Sequence, residues 1–215
     1  INDAAAEAEL KKYDGNTGIA ILSVDKSQLD SATLSAITVA QIGNSNTVSK
    51  GQIVIALGSP LGTSYSILSG SITSRGNEIT TLDNNYSVFT TDIVGSKNGS
   101  GILINVNGEI VGLIMQDYSS AGASNTLTAV AISEVSELLN LLMAGEDIPY
   151  LGISGTTVTD KIADKYTVPK GVYVKEVEMD SPAMLAGIQT GDVIISLDGE
   201  EINSMSAYSQ KLLTL

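Results

Sequence analysis

The chain has 215 residues, of which 43% are hydrophobic, a content that suits a folded protein of one large or two modest domains. Its 24 acidic and 11 basic side chains give a net charge of −13, which argues against binding of nucleic acid or of an anionic membrane, since both require a basic surface. The absence of cysteine and histidine excludes disulfides, thiol catalysis and the usual zinc sites, so we expect no metal and no other cofactor.

Short apolar runs rich in β-branched residues follow one another from residue 18 to residue 133, separated by turn residues. The runs cover residues 18–25, 51–58, 64–74, 86–93, 101–106, 108–115 and 126–133. Asp-Asn-Asn is among the turns that separate them. Strands at this spacing predict a β-sandwich or a β-barrel.

The hydrophobic period changes to that of a helix after the last of these runs. Apolar residues recur at helical spacing over 134–144, and Gly145 follows as a C-cap. The acidic stretch 146–149 has the composition of a linker. We therefore expect a domain boundary there.

A second unit begins at Tyr150 with the stretch YLGISGTTV, and a further strand pattern covers residues 171–177. Ser181-Pro182 is an N-cap and first-turn pair that predicts a short helix over 182–186. An amphipathic helix is expected over 204–214.

These stretches resemble a known family. GQIVIALGSPLG, followed by TTD, GSKNGSG and INVNGEIVGL, is similar to the second barrel of trypsin-like serine proteases of the HtrA/DegP type. The stretch from YLGI to GDVIISLDGEEI resembles the PDZ domain that follows the protease in that family. The resemblance covers nearly the whole chain and implies a mostly β fold. The first expected part is a trypsin-like double β-barrel domain over 1–145. It would contain an incomplete first barrel over about 1–50, a second barrel over about 51–133 and a helix over 134–144. The second expected part is an α+β PDZ domain over 150–215 that is truncated at its C-terminal end.

The same resemblance assigns a nucleophile position. In the family the serine lies nine positions after the threonine of the Thr-Asp pair, and counting from Thr91 gives Ser100. The oxyanion hole would then use the backbone N–H groups of Asn98 and Ser100. The chain after Ser100 is one residue shorter than the family pattern, and an alignment from Asn105 backwards places Gly99 at the nucleophile position instead. We expect this loop to be degenerate.

The orienting carboxylate of the family is missing from its position. A serine hydroxyl reacts only when a base removes its proton, and that base needs a carboxylate to orient it. Gly18 stands where the family has this aspartate, Asp14 is a poor substitute four residues earlier, and the family histidine would precede residue 1. We therefore interpret Ser100 as a vestigial nucleophile.

The PDZ resemblance implies a binding site at Tyr150, Leu151, Gly152 and Ile153, named here the carboxylate loop. In that family the backbone N–H groups of this loop bind the C-terminal carboxylate of a peptide, which then adds a strand to the sheet. Leu151 and Ile153 would line a pocket for the last apolar side chain, with the 204–214 helix opposite. A side chain at Gly152 would crowd the incoming carboxylate or force the loop out of its backbone conformation.

The sequence thus predicts an HtrA-like pseudoprotease that acts by binding peptide or protein C-termini. One alternative is an active serine endopeptidase of protein quality control, with its histidine outside this chain. Another is a structural subunit of a protease complex. The family resemblance implies an extracytoplasmic protein, either in the cell envelope or secreted. An oligomer and a membrane anchor upstream of residue 1 are compatible with the same resemblance.

Overall fold

A computed structural model describes residues 5–116 and 125–215 of the chain. Up to the linker, the elements are β1 (Ala8–Tyr13), β2 (Ala20–Val24), α1 (Ser31–Ala36), β3 (Gln41–Ile42), β4 (Ile53–Ser59), β5 (Ser66–Thr81), β6 (Asn84–Val94), β7 (Ser100–Asn105), β8 (Glu109–Met115), β9 (Thr126–Ala131) and α2 (Ser136–Ala144). After it come β10 (Ile153–Val158), α3 (Asp160–Tyr166), β11 (Gly171–Val177), α4 (Pro182–Leu185), β12 (Val193–Ile194), β13 (Ser196–Leu197), β14 (Glu200–Glu201) and α5 (Met205–Leu212).

Six antiparallel strands form a closed barrel. They follow one another in the order β8-β7-β4-β5-β6-β9, and pairing of β8 with β9 closes the barrel. The two-residue strand β3 joins the same sheet by pairing with β8 in parallel. Alternation of apolar and polar residues directs one face of each strand inward, and the core is fully or almost fully buried. The core side chains are those of Val48, Val54, Ala56, Ile72, Phe89, Ile93, Leu103, Val111, Ile114, Leu127, Ala129 and Ala131. The predicted mostly β fold is confirmed, and of the two predicted architectures the strands form the barrel.

The segment before the barrel contains a separate two-stranded hairpin. Strands β1 and β2 pair antiparallel, with Leu10 opposite Leu22. Both leucine side chains are 62% exposed. In the described residues, this hairpin joins no other sheet. Among the described residues, β1 and β2 alone do not close a barrel.

The second unit is built on a three-stranded antiparallel sheet of order β10-β11-β12. Helix α5 packs on this sheet through Met205, Tyr208 and Leu212, which are buried with Ile153 in one apolar cluster. Strand β10 is at the edge of the sheet, so one side of it is free of strand partners within that sheet. None of the helices in the described ranges is long and apolar enough to cross a bilayer.

Candidate functional site

The structure brings the three positions assigned to catalysis together. Ser100 is the first residue of β7, where it lies opposite Ser59 of β4, and its side chain is exposed. Ser100, Asn98 and Gly18 all line one cavity of ≈ 600 Å³, named here the Ser100 cavity. The residues that the sequence analysis assigned to nucleophile, oxyanion hole and aspartate positions therefore line the same cavity.

Two backbone N–H groups of the turn before Ser100 donate hydrogen bonds within the turn itself. The Asn98 N–H donates to Ser96 Oγ at 3.4 Å, and the Gly99 N–H donates to the Ser96 carbonyl at 2.8 Å. Ser96 is itself fixed, because its N–H donates to the Pro60 carbonyl at 2.9 Å. The Asn98 N–H would have to leave this turn before it could bind an oxyanion.

Gly18 has a left-handed backbone at φ +75°, and a Cβ built there meets nothing within 4 Å. Its N–H donates to the Asp14 carbonyl at 2.8 Å. The Asp14 side chain is engaged in the same turn: Oδ2 accepts from the N–H and the hydroxyl of Thr17 at 3.0 and 2.5 Å. Asp14 therefore caps the β1–β2 turn, and among the described residues it does not line the Ser100 cavity.

Hydrogen bonds to two carbonyl groups of the carboxylate loop hold it in place. The Leu151 carbonyl accepts from the Ala183 N–H at 2.9 Å, and the Gly152 carbonyl accepts from the Glu178 N–H at 2.8 Å. Gly152 has φ +89°, a conformation that glycine adopts without strain. The carbonyl side of the loop is thus fixed within the second unit.

Three consecutive N–H groups of the loop converge on one carboxylate, that of Asp83. The donors are Leu151 (2.9 Å to Oδ2), Gly152 (2.8 Å to Oδ2) and Ile153 (3.1 Å to Oδ1). Asp83 lies in the two-residue turn between β5 and β6, because Thr81 pairs with Asn84. Its side chain is only 8% exposed. Such charge-assisted bonds each contribute about 1.5–3 kcal/mol.

Helix α5 completes the environment of Asp83. The Tyr208 hydroxyl donates to Asp83 Oδ1 at 2.7 Å, and the Ser209 hydroxyl donates to the Asp83 carbonyl at 2.6 Å. Burial raises the pKa of the Tyr208 phenol, and the negative charge of Asp83 raises it further. Tyr208 therefore remains protonated and acts as a donor. The sequence analysis missed both Asp83 and Tyr208, because nothing in the local pattern distinguishes Asp83 from any other turn residue.

The structure adds two details to the predicted pocket. Ile153 contributes its N–H, and its side chain is fully buried in the core of the second unit. A Cβ at Gly152 would collide with the Ser181 side chain, so a side chain there would disturb the loop itself. Beside the loop lies a cavity of ≈ 410 Å³ whose apolar lining includes Leu82 and Leu212.

Comparison with known families agrees with this architecture. Residues 1–113 match the family described as trypsin-like peptidase domain, and residues 149–215 match the PDZ domain. A trypsin-like peptidase domain followed by a PDZ domain is the arrangement of HtrA-type proteases, and the chain belongs to this family.

Individual relatives give the degree of similarity. The chain is 32% identical to a probable periplasmic serine endoprotease DegP-like of Pseudomonas savastanoi pv. phaseolicola, over 91% of this chain and 40% of that protein. It is 30% identical to the serine protease Do-like HtrB of Bacillus subtilis, over 98% of this chain and 48% of that protein. The chain therefore spans less than half the length of these relatives.

Among solved structures, the HtrA-type protease AlgW with a decapeptide superposes with a TM-score of 0.66. The sequence identity is 23%, and the match covers 97% of this chain and 63% of that chain. At this identity the likeness shows a shared fold.

The geometry at Gly152 leads to a stability prediction. Gly152→Ala should lower the free energy of unfolding by about 3 kcal/mol or more, because left-handed strain adds to a collision with Ser181. Gly187→Ala is the matched control: its φ of +82° is similar but its Cβ would meet nothing, so strain alone should cost about 1–2 kcal/mol. Urea unfolding of both variants measures the difference, and equal losses would contradict the crowding.

Proposed function

We propose that this HtrA-type protein binds the free C-termini of peptides or proteins through the carboxylate loop, and that its Ser100 site does not cleave them. The observation that carries the proposal is the convergence of three consecutive backbone N–H groups, those of Leu151, Gly152 and Ile153, on a single carboxylate. The free C-terminus of a peptide presents such a carboxylate at the end of a polypeptide chain.

The chemistry of the loop suits such a ligand. Backbone N–H groups recognise the carboxylate and not a particular side chain, so many sequences can bind. In the described residues no lysine or arginine forms an ion pair at the loop. The negative charge of the Asp83 carboxylate is stabilised by the N–H groups of the loop and the hydroxyl of Tyr208. The edge of β10 can add an incoming strand, which would pair with β10 on the side away from β11.

The proposed loss of protease activity is supported by the Gly18 turn. Without an orienting carboxylate, the histidine of a serine protease loses its correct tautomer and position, and replacement of that aspartate by an amide lowers kcat by about 10⁴ in a well-studied protease. Asp14 does not supply the missing group, since both its oxygens accept hydrogen bonds within its own turn. The Asn98 N–H is also engaged, by Ser96.

A second candidate is an active serine endopeptidase whose histidine lies outside this chain. The observation that favours it is the shared cavity of Gly18 and Ser100, which preserves the family arrangement of the two positions. Of the relatives named above, one is named a probable serine endoprotease and the other a serine protease. This candidate requires a carboxylate from elsewhere to replace the one absent at Gly18.

We also propose an extracytoplasmic location. Several relatives are named as periplasmic serine endoproteases, and the proposal rests on this family resemblance.

Loss of catalysis can be tested with a fluorophosphonate probe, which labels only an activated serine. We expect the protein expressed from its complete gene to react at Ser100 about 10⁴-fold more slowly than an intact serine protease. Ser100→Ala is the matched control on a labelling gel. Gly18→Asp should increase labelling, because the position is open and aspartate tolerates a left-handed backbone. Strong labelling of the unmodified protein that disappears in Ser100→Ala would contradict the proposed loss.

Peptide binding can be tested by removing the charge of the ligand. We expect free-acid hexapeptides that end in Val, Leu or Phe to bind with Kd values in the micromolar range. Amidation of the same peptides should weaken binding at least about tenfold, because the loop then faces a neutral group. Fluorescence titration gives both constants. Equal binding of acid and amide would rule out the loop as the site.

A further inference from the structure

We propose that Asp83 is a built-in ligand of the carboxylate loop, so that an external C-terminus binds only after the β5–β6 turn has left. The inference rests on the proposed peptide-binding function and states how that site is regulated. It assigns Asp83, a residue of the protease domain, the position of the terminal carboxylate of a peptide.

The donors of the loop are already used. The N–H groups of Leu151 and Gly152 both donate to Asp83 Oδ2, and the Ile153 N–H donates to Oδ1. An incoming carboxylate would therefore find no free N–H in this set. Two carboxylates cannot share the site, because both are negative and no cation balances them in the described residues.

The edge of β10 is occupied as well. The Asp83 N–H donates to the Ile153 carbonyl at 2.7 Å, and the Asn85 side-chain amide donates to the Gly155 carbonyl at 3.3 Å. Ile153 and Gly155 are alternate residues of one strand, so their carbonyls point to the same side. These are the acceptors that an added peptide strand would need.

The opposite wall of the groove also holds the turn. Helix α5 donates the Tyr208 hydroxyl to the Asp83 carboxylate and the Ser209 hydroxyl to its carbonyl. The turn thus lies between β10 and α5, in the groove where the PDZ resemblance places a peptide. Carboxylate, backbone N–H and backbone carbonyl of Asp83 are all bound there.

The closed arrangement has one local disadvantage that opening would remove. Asn85 Oδ1 is buried and has no hydrogen-bond partner. In an open state water could reach this oxygen. The turn is therefore held by the Asp83 contacts, and weakening those contacts should release it.

The effect on affinity follows from the fraction of open molecules. If only the open form binds, the apparent Kd equals the intrinsic Kd divided by the open fraction. A variant that opens the site should therefore bind the same peptide more tightly, although it makes no new contact with it. A simple structural role of Asp83 would not produce this gain.

The test compares Asp83→Asn with the unmodified 215-residue chain. Asparagine keeps the shape of the side chain and tolerates the left-handed backbone, but it loses the charge and directs an NH₂ group at the loop donors. The matched control is Asp180→Asn, the same change at an exposed aspartate with φ +59°. The probes are the free-acid hexapeptides ending in Val, Leu or Phe.

We expect Asp83→Asn to lower the apparent Kd about tenfold and Asp180→Asn to leave it unchanged. Asp83→Gly, which suits the turn and removes the carboxylate entirely, should give at least the same gain. If the unmodified protein and both Asp83 variants bind with the same Kd, Asp83 is not a competitor and the inference is overturned, while peptide binding stands. If no protein binds any peptide, the proposed function fails and the inference fails with it.

A second measurement needs no variant. Addition of the peptide to ¹⁵N-labelled unmodified protein should shift the amide resonances of Asp83 and Asn85 together with those of Leu151 and Gly152, because the turn must leave the loop. Peptide-induced shifts in the loop with unchanged resonances at Asp83 and Asn85 would also overturn the inference.

Discussion

The carboxylate of Asp83 connects the two domains, because it belongs to the protease barrel while its four donors belong to the PDZ domain. Those donors are the N–H groups of residues 151–153 and the hydroxyl of Tyr208. Each bond is charge-assisted and partly or fully buried. Each buried donor therefore has a hydrogen-bond acceptor in place of water. The carboxylate therefore makes four of the hydrogen bonds that hold the β5–β6 turn against α5 and β10, beside those of the Asp83 backbone and the Asn85 side chain.

The protease barrel therefore serves the PDZ domain in an unusual way. The positions that the family resemblance assigns to catalysis line the Ser100 cavity, but position 18 carries no carboxylate and the nearest candidate, Asp14, caps a turn. A different part of the barrel, the β5–β6 turn, supplies the contact with the carboxylate loop. Under the proposed function, the barrel would regulate access to the peptide site without cleaving anything.

The sequence predicted most of the architecture because local patterns determine it. Apolar runs predicted the barrel strands, and Ser181-Pro182 predicted α4, whose N-cap hydroxyl accepts from the Met184 N–H. Helix α3 was missed, because it is polar and lacks a clear hydrophobic period. Asp83 was also missed. Its partners in the loop lie 68 to 70 residues away in the chain, and no local pattern reports a contact over that separation.

The contact between Asp83 and the loop can be measured directly by NMR through scalar coupling across hydrogen bonds. In uniformly ¹³C,¹⁵N-labelled protein without added peptide, we expect correlations between the Asp83 side-chain carboxyl carbon and the amide nitrogens of Leu151, Gly152 and Ile153. Their disappearance on addition of a free-acid peptide would show displacement of Asp83. Absence of all three correlations in the free protein, where the carbonyl correlations of β10 and β11 are visible, would contradict the account.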